Sequence, residues 1–297
     1  YYTELVIRYV NSKATKMEVS EQSKLYYGLV KPYLEKCESF KLQIFGRLIQ
    51  IFAYSSVNDY ATTAKLCEEA VHFFDKKDYD SGFPLQVFYY NLITCYLQLR
   101  EFEKGQVIIE RCQSLVEPGS FNWFKLQELF FLLAMHTAHY DTAAQVLNKV
   151  MDDPRFERQS FQITEIWRIY HAYVHFLKRI GKLHADGSSS ARNSKFKLSK
   201  FLNETPVFSK DKRGMNIPIL IVQILYALAD KDYQQCIDRM DGIEKYCNRY
   251  LKQNDTFRSN CFIKMLLQLP THAFHSERIV RHTQKLYEML CSVPMEV

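Results

Sequence analysis

Apolar residues return at three- and four-residue steps along almost the whole chain. No stretch alternates apolar and polar with the period of two that a half-buried strand requires. In SKLYYGLVKPYLEKC the apolar set is Leu25, Tyr26, Leu29, Tyr33 and Leu34. In FKLQIFGRLIQIFAYSS it is Phe40, Ile44, Phe45, Leu48, Ile51 and Phe52, and in DYATTAKLCEEAVHFF it is Tyr60, Ala64, Cys67, Ala70, Val71 and Phe74. This pattern restricts the chain to packed helices. The low counts of Gly (9) and Pro (8) in 297 residues argue the same way, because all-β folds need many turns. Pro84, Pro118, Pro154, Pro206, Pro218, Pro270 and Pro294 fall between periodic segments or at their starts, where proline is tolerated. Pro32 stands inside a segment and predicts a kink or a break there. Helices of about 12 to 20 residues with short connections follow.

Internal repetition is the next signal. In NLITCYLQLREFEKGQVIIERCQSLVEP, Leu92 and Tyr96 mark a first helix. Phe102 and Gly105 open a second, Ile109 and Cys112 continue its face, and Pro118 ends the unit. AHYDTAAQVLNKVMDDP places Tyr140, Ala143, Leu147, Val150 and Pro154 in the same way, and DKDYQQCIDRMDGIEKY places Tyr233, Cys236, Met240 and Ile243. NDYATTAKLCEEA follows with Tyr60, Cys67 and Ala70, but Thr63 stands where the small residue belongs. A further unit starts near Gly181 and Leu183. An aromatic followed three positions later by a small residue has a packing reason: the small residue lets two helices approach, and the ring fills the space beside it.

These units resemble tetratricopeptide repeats between residues 40 and 252. The resemblance implies an all-α fold: a right-handed superhelical solenoid of antiparallel helix pairs, with a groove that takes a peptide or a partner's helix. It assigns inter-helix packing to Leu92, Tyr96, Phe102, Gly105, Tyr140, Ala143, Tyr233 and Cys236. The chain departs from the family in two ways. The aromatics at Tyr60, Phe102 and Tyr140 lie further apart than the family's period of about 34 residues, and several first helices lack its Trp and Gly.

Chemistry-bearing patterns are sparse. No Gly-rich phosphate loop, GxSxG, HExxH or CxxC is present, so catalysis and cofactors are not expected. His136 and His139, and His171 and His175, have spacings that could face a metal from one helix side, but no third ligand accompanies them, and no metal is expected. Eight cysteines without paired spacing read as reduced thiols of a cytoplasmic protein. No apolar run is long enough to cross a membrane. In the adjacent pairs Phe73–Phe74, Tyr89–Tyr90 and Phe130–Phe131, one ring of each should leave the core. The chain starts in a helical pattern without Met, which reads as a piece of a longer protein.

The charge is uneven. Between Lys182 and Arg213 lie Lys182, Arg192, Lys195, Lys197, Lys200, Lys210, Lys212 and Arg213 against Asp186, Glu204 and Asp211, in a chain of net charge +6. Phe196, Leu198, Phe201 and Leu202 would give this stretch a short amphipathic helix. The sequence therefore divides into helical-hairpin repeats over 1–180, a basic connector over 181–215, and further repeats with a cap over 216–297. A lysine-coated connector is the favoured reading. An anionic partner such as nucleic acid, held by Lys195, Lys197, Lys200, Lys210, Lys212 and Arg213, is the alternative. The expected function is a non-catalytic scaffold for a protein or peptide partner. The competing expectation is the sensor half of a longer regulator.

Overall fold

The computed structural model describes residues 1–11, 14–78, 80–184, 196, 199, 201, 216–250 and 257–292, the side chains of 216, 246–250 and 257–259 excepted. Thirteen α-helices and no strand lie among them. The chain forms two compact units, Tyr1–Val146 and Leu147–Val297. The first holds α1 (Tyr2–Val10), α2 (Lys16–Leu34), α3 (Phe40–Ser55), α4 (Tyr60–Asp75), α5 (Gly82–Leu99), α6 (Phe102–Gln113) and α7 (Phe121–His136). The unit boundary falls inside α8 (Tyr140–Met151). The second holds α9 (Phe161–Arg179), α10 (Asn216–Ala229), α11 (Tyr233–Tyr250), α12 (Phe257–Thr271) and α13 (Ser276–Ser292). From α1 to α7 each helix packs on the next, and α1 also meets α3 as α5 meets α7. In the second unit α9 packs on α10, α10 on α11, α11 on α12, and α12 on α13.

One turn recurs six times. Asn58, Arg100, Ala138, Gly181, Lys231 and Ala273 all have left-handed backbone, with φ between 51 and 69°. At each, the following N–H reaches five residues back, as in Asp59 to Tyr54 (3.1 Å), Glu101 to Tyr96 (2.9 Å) and His139 to Ala134 (2.8 Å). Lys182 to Leu177 (2.9 Å), Asp232 to Ala227 (2.9 Å) and Phe274 to Leu269 (2.8 Å) repeat it. This hydrogen-bond pair satisfies the last carbonyls of a helix and reverses the chain within a few residues. In the first five turns the second residue after the left-handed one is Tyr60, Phe102, Tyr140, Leu183 or Tyr233. The turn therefore fixes the repeat register, and the aromatics sit at one structural position.

Helix starts are also repeated. Ser39–Phe40, Ser120–Phe121 and Ser160–Phe161 open α3, α7 and α9, and Ser81–Gly82–Phe83 opens α5. Ser120 Oγ accepts from the Trp123 N–H at 3.2 Å, which satisfies one of the free donors of a helix start. Thr15 and Glu18 make a reciprocal capping box before α2.

The structure corrects the face assigned to α2. Leu25, Leu29 and Tyr33 are 58, 53 and 64% exposed, whereas Val19, Ser20 and Ser23 are buried. The serine hydroxyls explain the inversion. Ser20 donates to the Ala53 carbonyl and Ser23 to the Ile49 carbonyl, each at 2.6 Å, so small side chains bring α2 against the α3 backbone. Nor does Pro32 break this helix, which ends two residues later at Leu34. In the adjacent aromatic pairs Phe74, Tyr89 and Phe131 are buried, and Phe73, Tyr90 and Phe130 are half-buried.

Candidate protein-interaction surface

The packing residues are placed as follows. Leu92, Tyr96, Phe102, Gly105, Ala143 and Cys236 are buried. A Cβ on Gly105 would lie 2.4 Å from Leu133 Cδ2 and 3.5 Å from Tyr96 Cβ, so a methyl there requires Leu133 to shift where α6 meets α7 and α5. Tyr96 donates its hydroxyl to Glu68 Oε1 at 2.5 Å. Burial first, and then Glu68, push its pKa well above the usual phenol value. Burial likewise pushes the Cys236 thiol up to about 11. Phe102 stacks on His139 at 3.6 Å between ring centres, and Tyr233 stacks on Phe274 at 4.4 Å. In both units, then, the aromatic that follows one turn lies on a ring in the next turn. Tyr140 and Tyr233 depart from full burial: Tyr140 is half-buried and Tyr233 is 43% exposed. Phe274 stacks over one face of the Tyr233 ring, and α11 starts at this residue, at the edge of the packed helices.

Counting back from the turn residue aligns three helices of the first unit. The aligned sets are Phe45, Ile49 and Phe52 on α3, Val87, Asn91 and Thr94 on α5, and Lys125, Leu129 and Leu132 on α7. Each set recurs at helical spacing on one side of its helix. On α3 that side is occupied. Tyr2 of α1 meets Phe45 and Phe52 at ring distances of 5.9 and 6.1 Å, and Tyr9 meets Phe52 at 5.6 Å. Leu5 of α1 is fully buried against Ile49 and Val19. On α5 and α7 all six residues stand half-open. Gln98 extends the α5 set, and its buried Oε1 has no hydrogen-bond donor among the described residues. His136 ends the α7 set and is exposed. Asn122 Nδ2 donates to Gln86 Oε1 at 2.9 Å and ties the helix starts together, and Tyr90 donates to the Asn122 carbonyl at 2.5 Å. The open sides of α5 and α7 therefore form one rigid surface of mixed polar and apolar character.

No three His, Cys, Asp or Glu side chains come together to hold a metal ion among the described residues. His139 is stacked on Phe102 and contacts Thr137 Oγ1 at 2.9 Å. His175 shares a 2.8 Å hydrogen bond with the Tyr226 hydroxyl, and burial followed by Lys178 and Arg179 holds its pKa below the usual histidine value.

Lys195, Lys197, Lys200, Lys210, Lys212 and Arg213 lie outside the described residues, as do Leu198 and Leu202. What is described of the connector is its anchorage. Phe196 lies 4.7 Å from the rings of both His171 and His175, and Phe201 is buried with Ile169, Ala172, Ile219, Val222 and Tyr226.

The open faces of α5 and α7 were missed by sequence reasoning, which followed the buried residues. The Ser–Phe helix starts would have aligned these helices. The turn residues would not, since Asn, Arg, Ala, Gly, Lys and Ala share no residue type. No family model, curated protein or solved structure matches the chain. No helix among the described residues is long and apolar enough to cross a membrane.

Proposed function

We propose that the chain is a non-catalytic interaction scaffold of tetratricopeptide-like type, which holds a peptide or a partner's helix along the open faces of α5 and α7. The observation that carries this is α1 itself. It is a short helix that lies on the corresponding face of α3 through Tyr2, Leu5 and Tyr9. The aligned faces of α5 and α7 offer the same geometry with Val87, Thr94, Leu129 and Leu132 as apolar contacts. Asn91 and Lys125 would fix the orientation of the bound backbone. A rigid, repeated framework suits this role because the surface exists before the partner arrives.

The test is selection of binders from a displayed random-peptide library against the full chain. Thr94→Arg, Lys125→Glu and Leu129→Asp are each expected to weaken the selected peptides roughly tenfold or more, as central contacts of an interface do. Circular dichroism should be unchanged. Peptides that bind all three variants as well as the parent would place the binding surface elsewhere.

A further inference from the structure

Helix α13 carries its charge in a defined order. Arg278, Arg281, His282 and Lys285 recur at three- and four-residue steps and are all exposed, so they form one row about 10 Å long. Glu277 and Glu288 close the two ends of that row. None of Arg278, Arg281 and Lys285 makes an ion pair among the described residues. At the end of α12, His272 stacks on His282 with ring centres 4.1 Å apart and planes 17° apart. Burial first, and then His282 and Arg278, hold the His272 pKa below its usual value. The other charged groups near this corner are His275, Arg281 and Lys285, with the two glutamates off the ends and Lys264 on α12. Asp238, Arg239, Asp241, Glu244 and Lys245 belong to α11, which also packs on α12. The corner gathers Arg278, Arg281 and Lys285 beside the stacked His272 and His282, with a glutamate at either end.

We propose that this face of α13 docks an acidic helix of a protein partner, and that the contact tightens as the pH falls. A partner helix with carboxylates at the same three- and four-residue steps would meet the row along its length. The order of charge favours a protein over a nucleic acid. Glu277 and Glu288 would repel a uniform chain of phosphates, whereas a helix with acidic centre and basic ends matches them. The pH dependence follows from the stacked imidazoles. Two charged rings face to face repel each other, and a partner carboxylate offsets that repulsion. Binding and protonation therefore favour one another, in a window below the usual histidine range because the His272 pKa is held down. This surface is separate from the open faces of α5 and α7, so either proposal can fail alone.

The probe is a fluorescent alanine-based helical peptide with three glutamates on one face and lysines at both ends, titrated with the full chain by anisotropy. Controls are its charge-inverted counterpart and a single-stranded oligonucleotide. The parent should bind the acidic peptide. The triple variant R278E/R281E/K285E should bind it roughly tenfold more weakly and should gain affinity for the inverted peptide. Binding should tighten several-fold from about pH 7.5 to about pH 5.5, and the double change His272→Gln and His282→Gln should abolish that tightening while keeping the higher-pH affinity. These are surface positions, and circular dichroism confirms that the variants fold. No binding by the parent, equal binding by the triple variant, or tighter binding of the oligonucleotide through the same residues would overturn the proposal. A pH-independent affinity would overturn its second half.

Discussion

Gly105 and Gly28 are both helical, and their surroundings give opposite expectations. A methyl at Gly105 meets the Leu133 side chain, which is fully buried and would have to shift. A methyl at Gly28 meets nothing within 4 Å. Replacing glycine by alanine inside a helix stabilises by roughly 0.5 to 1 kcal/mol when no clash opposes it. Gly28→Ala is therefore expected to raise the urea midpoint. At Gly105 the overpacking cost of about 1 to 3 kcal/mol exceeds that gain, so Gly105→Ala should lower the midpoint. Equal midpoints for the two variants would show that α6 and α7 are not held as closely as the Leu133 contact requires. The same closeness governs α2, where Ser20 and Ser23 replace apolar residues at the contact because their hydroxyls reach α3 carbonyls.

At the scale of the element, the recurring turn is the unit of construction. At four of its six occurrences it sets an aromatic two residues past the left-handed position, and at all but Gly181 it does so with residues that pay a conformational penalty for left-handed backbone. Ala138, at φ 60°, is the clearest case, since its methyl makes no compensating hydrogen bond. Ala138→Gly is expected to stabilise the chain by a few tenths to about 1 kcal/mol, measured by chemical denaturation. Glycine's larger unfolded-state entropy opposes part of the gain. A clear loss of stability would mean that the turn relaxes out of the left-handed region in solution. The element scale also explains the connector. Phe196 and Phe201 anchor it on α9 and α10 by ring contacts, while its charge lies in the residues around them.

For the whole molecule, the two compact units carry one tryptophan each. Trp123 is in α7 and Trp167 in α9, and both are buried. Stacked helix pairs contact only their neighbours, so stability is close to a sum of local terms. Ala143, fully buried in the first unit, provides the perturbation. Ala143→Glu inserts charge and volume and should cost about 2 to 5 kcal/mol. Combined with Trp167→Phe or Trp123→Phe to isolate one emitter, it is expected to shift the Trp123 transition more than the Trp167 transition. Coincident shifts would show that the chain unfolds as a single cooperative body.

The helical class and the buried faces of α4, α5 and α6 were legible in the residues, because periodicity and the aromatic–small pairs are local properties of the sequence. Tertiary structure alone decided the rest. The face of α2 inverted because serine hydroxyls found carbonyls on a neighbouring helix, a gain that no hydrophobic pattern encodes. The left-handed turns are set by where the helices must reverse, so any residue that tolerates the strain serves there. The candidate surface on α5 and α7 is defined by what does not cover it. Exposure is a property of the packed neighbours, and Val87, Thr94 and Leu132 look in sequence like any other positions on an amphipathic helix.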